Sequence, residues 1–296
     1  MATWRHGDSA TSSRGKEHMS TRILSVCSWK GGVGKTTTSQ HLAHALIRRG
    51  KAVLLVDLDP MHGLSTSCGV RRPERSMTDV FEGRLGLADV IARTGDGLRI
   101  APADTTLAGV ERALQNEVAR EQFMKRFLEG VTDDFVIMDT PPALGILTMN
   151  AFMASNGLIV ATDSKFLSLE GLVLVFDSIQ KVQSRLNPEL QVLGVLPTMF
   201  TRTVHARECL EETQAFMQKA LGRPAVFSPI PYTIRFAEAS TAGRTVFDYA
   251  PDFEGAKAYE SLAEEVIRWA TDGSLCVGAS TSSTGEPPSI DSPAVA

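Results

Sequence analysis

Several large protein classes are excluded by what this 296-residue chain has little of. It has four cysteines, Cys27, Cys68, Cys209 and Cys276, with no C-x-x-C pair among them. Such scattering excludes a zinc ribbon, a paired-cysteine cluster and a disulfide-framed secreted domain, and it fits reduced thiols in a cytoplasmic protein. No apolar run approaches the ~18 residues that a membrane helix needs. The opening MATWRHGDSATSSRGKEHMS is polar and lacks the apolar stretch of a secretory signal. Basic residues are not in excess either: 30 Lys and Arg stand against 34 Asp and Glu, a net charge of −4. A uniformly basic nucleic-acid binder is excluded, although a local basic face is not. There is no internal repeat.

What is present is a hydrophobic content of 43%, ample for a packed core. The first 20 residues read as a solvated tail. So does 271–296, rich in Ser, Gly and Pro, with three acids (Asp272, Glu286, Asp291) and no Lys or Arg. The folded part is expected over 21–270. Within it, strand candidates recur at Arg22–Ser28, Ala52–Val56, Leu98–Ala101, Phe135–Met138, Leu158–Ala161, Val192–Leu196 and Val226–Ile230. Helical spacing lies between most of them, at Thr36–Arg49, Ala108–Asn116, Glu121–Gly130, Leu169–Leu186 and Arg207–Ala220, with a last helix at Phe253–Trp269. This alternation predicts an α/β fold: a doubly wound, mostly parallel sheet with helices on both faces. Ligands bind such sheets beyond the carboxyl ends of the strands.

One such end carries Ser28-Trp29-Lys30-Gly31-Gly32-Val33-Gly34-Lys35-Thr36-Thr37. Strand, glycine loop and helix follow in the order a phosphate loop requires, Gly-x-x-x-x-Gly-Lys-Ser/Thr. Gly31, Gly32 and Gly34 let backbone N–H groups converge on oxygens where a Cβ would intrude. The helix N-terminus adds partial positive charge. Residues Gly31 to Thr37 are therefore expected to hold the phosphates of ATP, with Lys35 at the β/γ-phosphates and the Thr36 hydroxyl on Mg²⁺. Two further strand ends carry acids, Asp57-Leu58-Asp59-Pro60 and Asp139-Thr140-Pro141-Pro142. Asp139 suits a carboxylate behind the metal. Asp59 suits one that orients an attacking water, and Asp57 suits a turn cap.

The strings KGGVGKTTTSQHLAHAL, VLLVDLDP, FVIMDTPPALGILTMNAF, FLSLEGL and IRFAEASTAGRTVFDYAP together resemble the ParA/Soj family of DNA-partitioning ATPases. The resemblance runs in order from about Ile23 to Trp269, and the first and third strings carry most of it. It implies a role for the additional lysine, Lys30, which in this family reaches the nucleotide of a second subunit across a two-fold interface. Lysines of both copies would then offset the repulsion of two facing triphosphates. The implied catalytic set is Lys30, Lys35 and Asp59. The implied metal set is Thr36, Asp59 and Asp139. Family members read Asp-Pro-Gln-Gly-Asn after the second strand, where this chain has Asp59-Pro60-Met61-His62-Gly63. That departure bears on hydrolysis rate and switch geometry and leaves nucleotide binding untouched.

The resemblance also implies an ATP-dependent homodimer, non-specific binding to double-stranded DNA of the nucleoid, and a ParB-like adaptor that speeds hydrolysis. Arg235 aligns with an arginine that the family uses on DNA, and Arg202 is similarly placed. From Phe200 to Arg244 six basic residues face four acids, a small excess. About 20 residues before the first strand leave no room for the operator-binding helix-turn-helix domain of some plasmid relatives. Other cargo stays open, namely a chemoreceptor cluster or a microcompartment moved by the same engine. A MinD-like membrane cycle would need a basic amphipathic C-terminal helix, whereas Phe253–Trp269 is acidic. An amide-forming synthetase would need a substrate-carboxylate pocket, and an iron–sulfur reductase would need paired cysteines.

Overall fold

A computed structural model describes residues 20–95, 97–163, 169–242 and 244–275. Nearly all of the expected N-terminal tail, the chain beyond residue 275 with Cys276, and Phe166 to Ser168 of the FLSLEGL string lie outside the described residues.

Seven strands form one sheet in the order β3-β4-β2-β5-β1-β6-β7. They are β1 (Arg22–Cys27), β2 (Val53–Asp57), β3 (Ala92–Arg93), β4 (Arg99–Ala101), β5 (Phe135–Asp139), β6 (Gly157–Asp163) and β7 (Gln191–Thr198). Every neighbouring pair is parallel except β3 with β4. The strands are apolar on both faces because both faces are covered, and their side chains alternate between two cores except in β7, where the register with β6 shifts. Val53 and Leu55 of β2 join one core, with Phe135 and Ile137 of β5. Leu54 and Val56 join the other, with Val136 and Met138.

The first core is closed by α1 (Lys35–Arg48), α2 (Gly63–Ser67), α11 (Val246–Tyr249) and α12 (Glu254–Asp272). Phe236 of α10 (Arg235–Thr241) packs against the same core. The second is closed by α3 (Met77–Phe81), α4 (Leu87–Val90), α5 (Leu107–Ala113), α6 (Phe123–Phe127), α7 (Ile146–Ala154), α8 (Leu169–Arg185) and α9 (Val204–Leu221). Gly157 allows α12 to close on the sheet: a Cβ there would stand 2.9 Å from Leu24 and 3.0 Å from Trp269.

The expected fold class is the observed one, but one strand is not. Val226–Ile230 meets β7 at a single bridge, Val195 with Val226. The Phe227 N–H donates to the Val195 carbonyl (2.9 Å) and the Ile230 N–H to that of Pro197 (2.8 Å). Pro229 between them has no N–H to give, so the ladder breaks. Glu121–Gly130 likewise shrinks to a 3₁₀ turn at Arg120–Gln122 followed by the five residues of α6. At the other end, α12 runs on through Thr271 and Asp272 to Gly273, whose φ of 74° ends it.

Candidate functional site

The C-terminal ends of β1, β2, β5, β6 and β7 deliver the glycine loop, both acidic turns and Thr198 to one edge of the sheet. Gly32 (φ 74°) and Gly34 (φ 80°) adopt the left-handed backbone that L side chains rarely enter. Gly34 is the N-cap of α1, supplies no side chain to cap it, and is followed by a first turn without an acid. The N–H groups of that turn are thus left to an incoming anion. The loop is tied down from behind. Val33 is buried, its carbonyl 2.7 Å from the Thr198 hydroxyl, which also lies 3.0 Å from the Thr162 carbonyl. The Ser28 hydroxyl donates to the Lys30 carbonyl (2.7 Å).

Lys35, only 6% exposed, and half-buried Thr36 stand inside this rim, whereas Lys30, Gly31 and Gly32 are exposed on its lip. The Thr36 hydroxyl donates to Asp139 Oδ2 (2.7 Å), and Ser39, one turn along α1, donates to Asp139 Oδ1 (3.0 Å). A threonine whose proton is held by a carboxylate turns its lone pairs outward, as a metal ligand must. Asp139 has no solvent exposure and sits in register beside Asp57. Burial pushes the Asp139 carboxyl well above the usual range and the neighbouring Asp57 pushes it further, against the pull of Thr36, Lys35 and Ser39. Burial raises Asp57 as well. Two adjoining buried acids make a negative site that a divalent cation would relieve. A Mg²⁺ ion that keeps water and substrate oxygens needs no all-protein cage. The residues present therefore fit both a triphosphate and its metal.

Asp57 and Asp59 take different places. Asp57 Oδ2 accepts both the Ser65 N–H (2.8 Å) and hydroxyl (2.7 Å), and its Oδ1 accepts the Asp59 N–H (3.1 Å). It anchors the turn and α2. Asp59 is half-buried and accepts the Met61 N–H (2.9 Å) through Oδ1. His62 occupies the left-handed region (φ 43°), and its Nδ1 lies 3.0 Å from the Thr66 hydroxyl within α2. The segment passes close to the loop, since a Cβ on Gly63 would lie 3.6 Å from Thr36 Oγ1. Cys27, directly behind, is no nucleophile: burial pushes its thiol up to about 12 despite Lys35.

Sequence reasoning missed Ser39, Thr198 and a cavity of about 320 Å³ beside Gly34 and Thr37. Its walls include Met199, Tyr232, Phe236 and Tyr259. The one available signal was position: Thr198 and Met199 follow the last apolar strand at the binding edge. Arg235 and Arg202 both reach the start of α12. The Arg235 guanidinium lies 5.5 Å from the centre of the Phe253 ring. Arg202 instead holds Glu254, its Nη2 at 2.7 and 2.9 Å from the two carboxylate oxygens.

An AAA domain model matches residues 21–192. The chromosome partitioning protein ParA of Caulobacter vibrioides is 37% identical over 83% of this chain and 94% of its own. The chromosome-partitioning ATPase Soj of Thermus thermophilus is 37% identical over 83% and 95%. The chain belongs to the ParA/Soj family of partitioning ATPases. Like those relatives, it is an ATPase. The fold also matches the crystal structure of cobyrinic acid a,c-diamide synthase from Mycobacterium smegmatis with bound ADP and magnesium. That structure has a TM-score of 0.76 and 33% identity over 88% of this chain and all of that one. Members of one scaffold thus carry different activities, so function has to be argued from the site. No helix among the described residues is long and apolar enough to cross a membrane.

Proposed function

We propose that this ParA/Soj-family ATPase is an ATP-dependent dimerising switch of the cytoplasm that binds nucleoid DNA without sequence preference and releases it on hydrolysis. The observation that carries the reading is the Thr36–Asp139 bond behind an exposed Lys30 and a buried Lys35. In this reading the N–H groups of Gly31 to Thr37 hold the phosphates, and Lys35 neutralises the β/γ-oxygens. Thr36 and Asp139 hold Mg²⁺, which when bound supplies positive charge to the phosphate oxygens. Asp59 orients the attacking water. The cavity walled by Met199, Tyr232 and Phe236 takes the nucleoside. Lys30 stands outside the pocket of its own chain, on a lip from which it can complete the pocket of a second copy.

Arg235 is the principal phosphate contact on DNA. Arg202 is a secondary one, because an exposed ion pair such as Arg202–Glu254 is weak and yields to a phosphate. A ParB-like adaptor would speed hydrolysis and select the cargo. The likeness to the synthase supports a second reading, amide formation on a carboxylate substrate. That reading predicts ATP turnover raised by such a substrate and not by DNA.

Light scattering of Lys30→Ala with ATP and Mg²⁺ tests the switch. The variant should bind ATP within a few-fold of wild type yet stay monomeric where wild type dimerises. A dimer of undiminished stability would remove Lys30 from the interface.

A further inference from the structure

One buried histidine lies between the nucleotide cavity and the helix that carries Arg235. His41 is 3% exposed and lies about two turns beyond Gly34 on α1. Its Nδ1 is 2.8 Å from the Thr37 carbonyl, and its Nε2 is 3.2 Å from the Val246 N–H. A carbonyl can only accept and an amide N–H only donate, so the proton sits on Nδ1 and the ring is neutral. The second bond supplies an acceptor to the first N–H of α11, which has no side-chain cap of its own. The ring stacks on Tyr259 of α12 (centroids 5.2 Å apart, planes at 23°) and meets Phe236 of α10 edge-on (5.2 Å, 85°). Four helices thus converge on one side chain.

Three of its partners, Thr37, Phe236 and Tyr259, also wall the nucleoside cavity, with Ala237 and Ser240 of the same α10. Arg235 precedes Phe236 directly and turns outward over Phe253. A ligand that fills this cavity therefore presses on the helix whose first residue is the proposed DNA contact. Packed interiors move between discrete arrangements and do not yield smoothly, so the position of α10 depends on what holds Phe236 from behind.

We infer that His41 is a positioning residue that couples nucleotide occupancy to the placement of α10, and so of Arg235. This rests on the reading of Arg235 as a DNA contact. Its ring is the fixed post: the bond to Thr37 registers the nucleotide side, and the bond to Val246 with the edge of Phe236 registers the DNA side. Without both bonds, nucleotide should still bind but no longer set α10.

The test uses the full chain and two readouts, amide hydrogen exchange over residues 235–242 with and without ATP, and random-duplex affinity in ATP against ADP. In wild type, ATP should slow exchange in α10, and the affinity ratio should lie in the roughly 5–150-fold range of ordinary couplings. His41→Phe keeps a ring but loses both bonds. It should bind ATP within a few-fold of wild type, show no ATP effect on α10 exchange, and lower the ratio several-fold, leaving only the gain that pairing of two copies supplies. His41→Gln, whose amide can donate to Thr37 and accept from Val246 but offers no ring to Phe236, should restore both responses in part. Should His41→Phe not fold, Val246→Pro removes the same N–H at a first-turn position that tolerates proline and should uncouple in the same way. A purely structural His41 would lower thermal stability while leaving the ratio and the exchange response as in wild type, and that result overturns the inference. So does an absence of any ATP effect on α10 in wild type. If wild type shows that effect but binds no DNA in ATP, the DNA reading fails and His41 is still judged by exchange alone.

Discussion

Thr36, Ser39 and Asp139 show how much a few hydrogen bonds decide at the scale of the residue. Both oxygens of Asp139 are taken by hydroxyls of α1, which fixes the carboxylate behind the loop and aims the Thr36 lone pairs outward. Lys35 and Thr36 were legible because a phosphate loop requires them at fixed spacing. Asp139 was legible because a strand end delivers it. His41 was not, because its partners Phe236, Val246 and Tyr259 lie some 200 residues away and no local pattern connects them. Asp59 holds the exposed Met61 N–H of its turn, whereas Asp57 carries the buried bonds to Ser65 that anchor α2, and the proposed chemistry belongs to Asp59. Asp59→Ala should therefore leave ATP binding and folding nearly unchanged, lower the hydrolysis rate about 10²-fold or more, and accumulate the ATP-bound dimer. Phosphate-release kinetics check this, and turnover at the wild-type rate would take Asp59 out of the mechanism.

Among elements, the long parallel strands and α1, α8, α9 and α12 follow from apolar period and length. The short α2, α3 and α4 do not, because four or five residues carry too little periodicity to read. The segment Val226–Ile230 misled for a different reason. Its side chains are apolar enough for a strand and three of them, Val226, Phe227 and Ile230, join the two cores, yet Pro229 interrupts the hydrogen bonding that apolar pattern alone cannot report. What holds α2 in place is a network: buried Ser65 bonds Asp57 through both its N–H and its hydroxyl, and Ser65 Oγ accepts the Ala103 N–H (2.9 Å). Ser65→Ala leaves that buried amide unpaired and should destabilise the fold by about 1–3 kcal/mol. In urea unfolding the midpoint should fall with an unchanged slope. A shift equivalent to less than about 0.5 kcal/mol would mean that the network is dispensable.

On the scale of the molecule, one edge of the sheet gathers the phosphate loop, the two acidic turns and the cavity beside Gly34 and Thr37. Lys30 is exposed there, and Arg235 stands just beyond the cavity wall. In the proposed reading, a surface that offers DNA little more than Arg235 and Arg202 would bind it weakly as a monomer and gain by pairing, since each added phosphate contact releases counterions. The net charge of −4 works in the same direction, discouraging attachment to DNA through any other face. The central claim is that ATP, and not ADP, makes this chain a DNA-binding dimer. It is tested most directly by titrating a random duplex with the protein in ATP, in ADP and without nucleotide, at two salt concentrations. The account predicts binding at least about five-fold tighter in ATP than in ADP or without nucleotide, with log affinity falling against log salt at a slope of about −2 to −4, and its loss in Arg235→Glu. Equal binding in all three states, or none in ATP despite dimerisation, would contradict it.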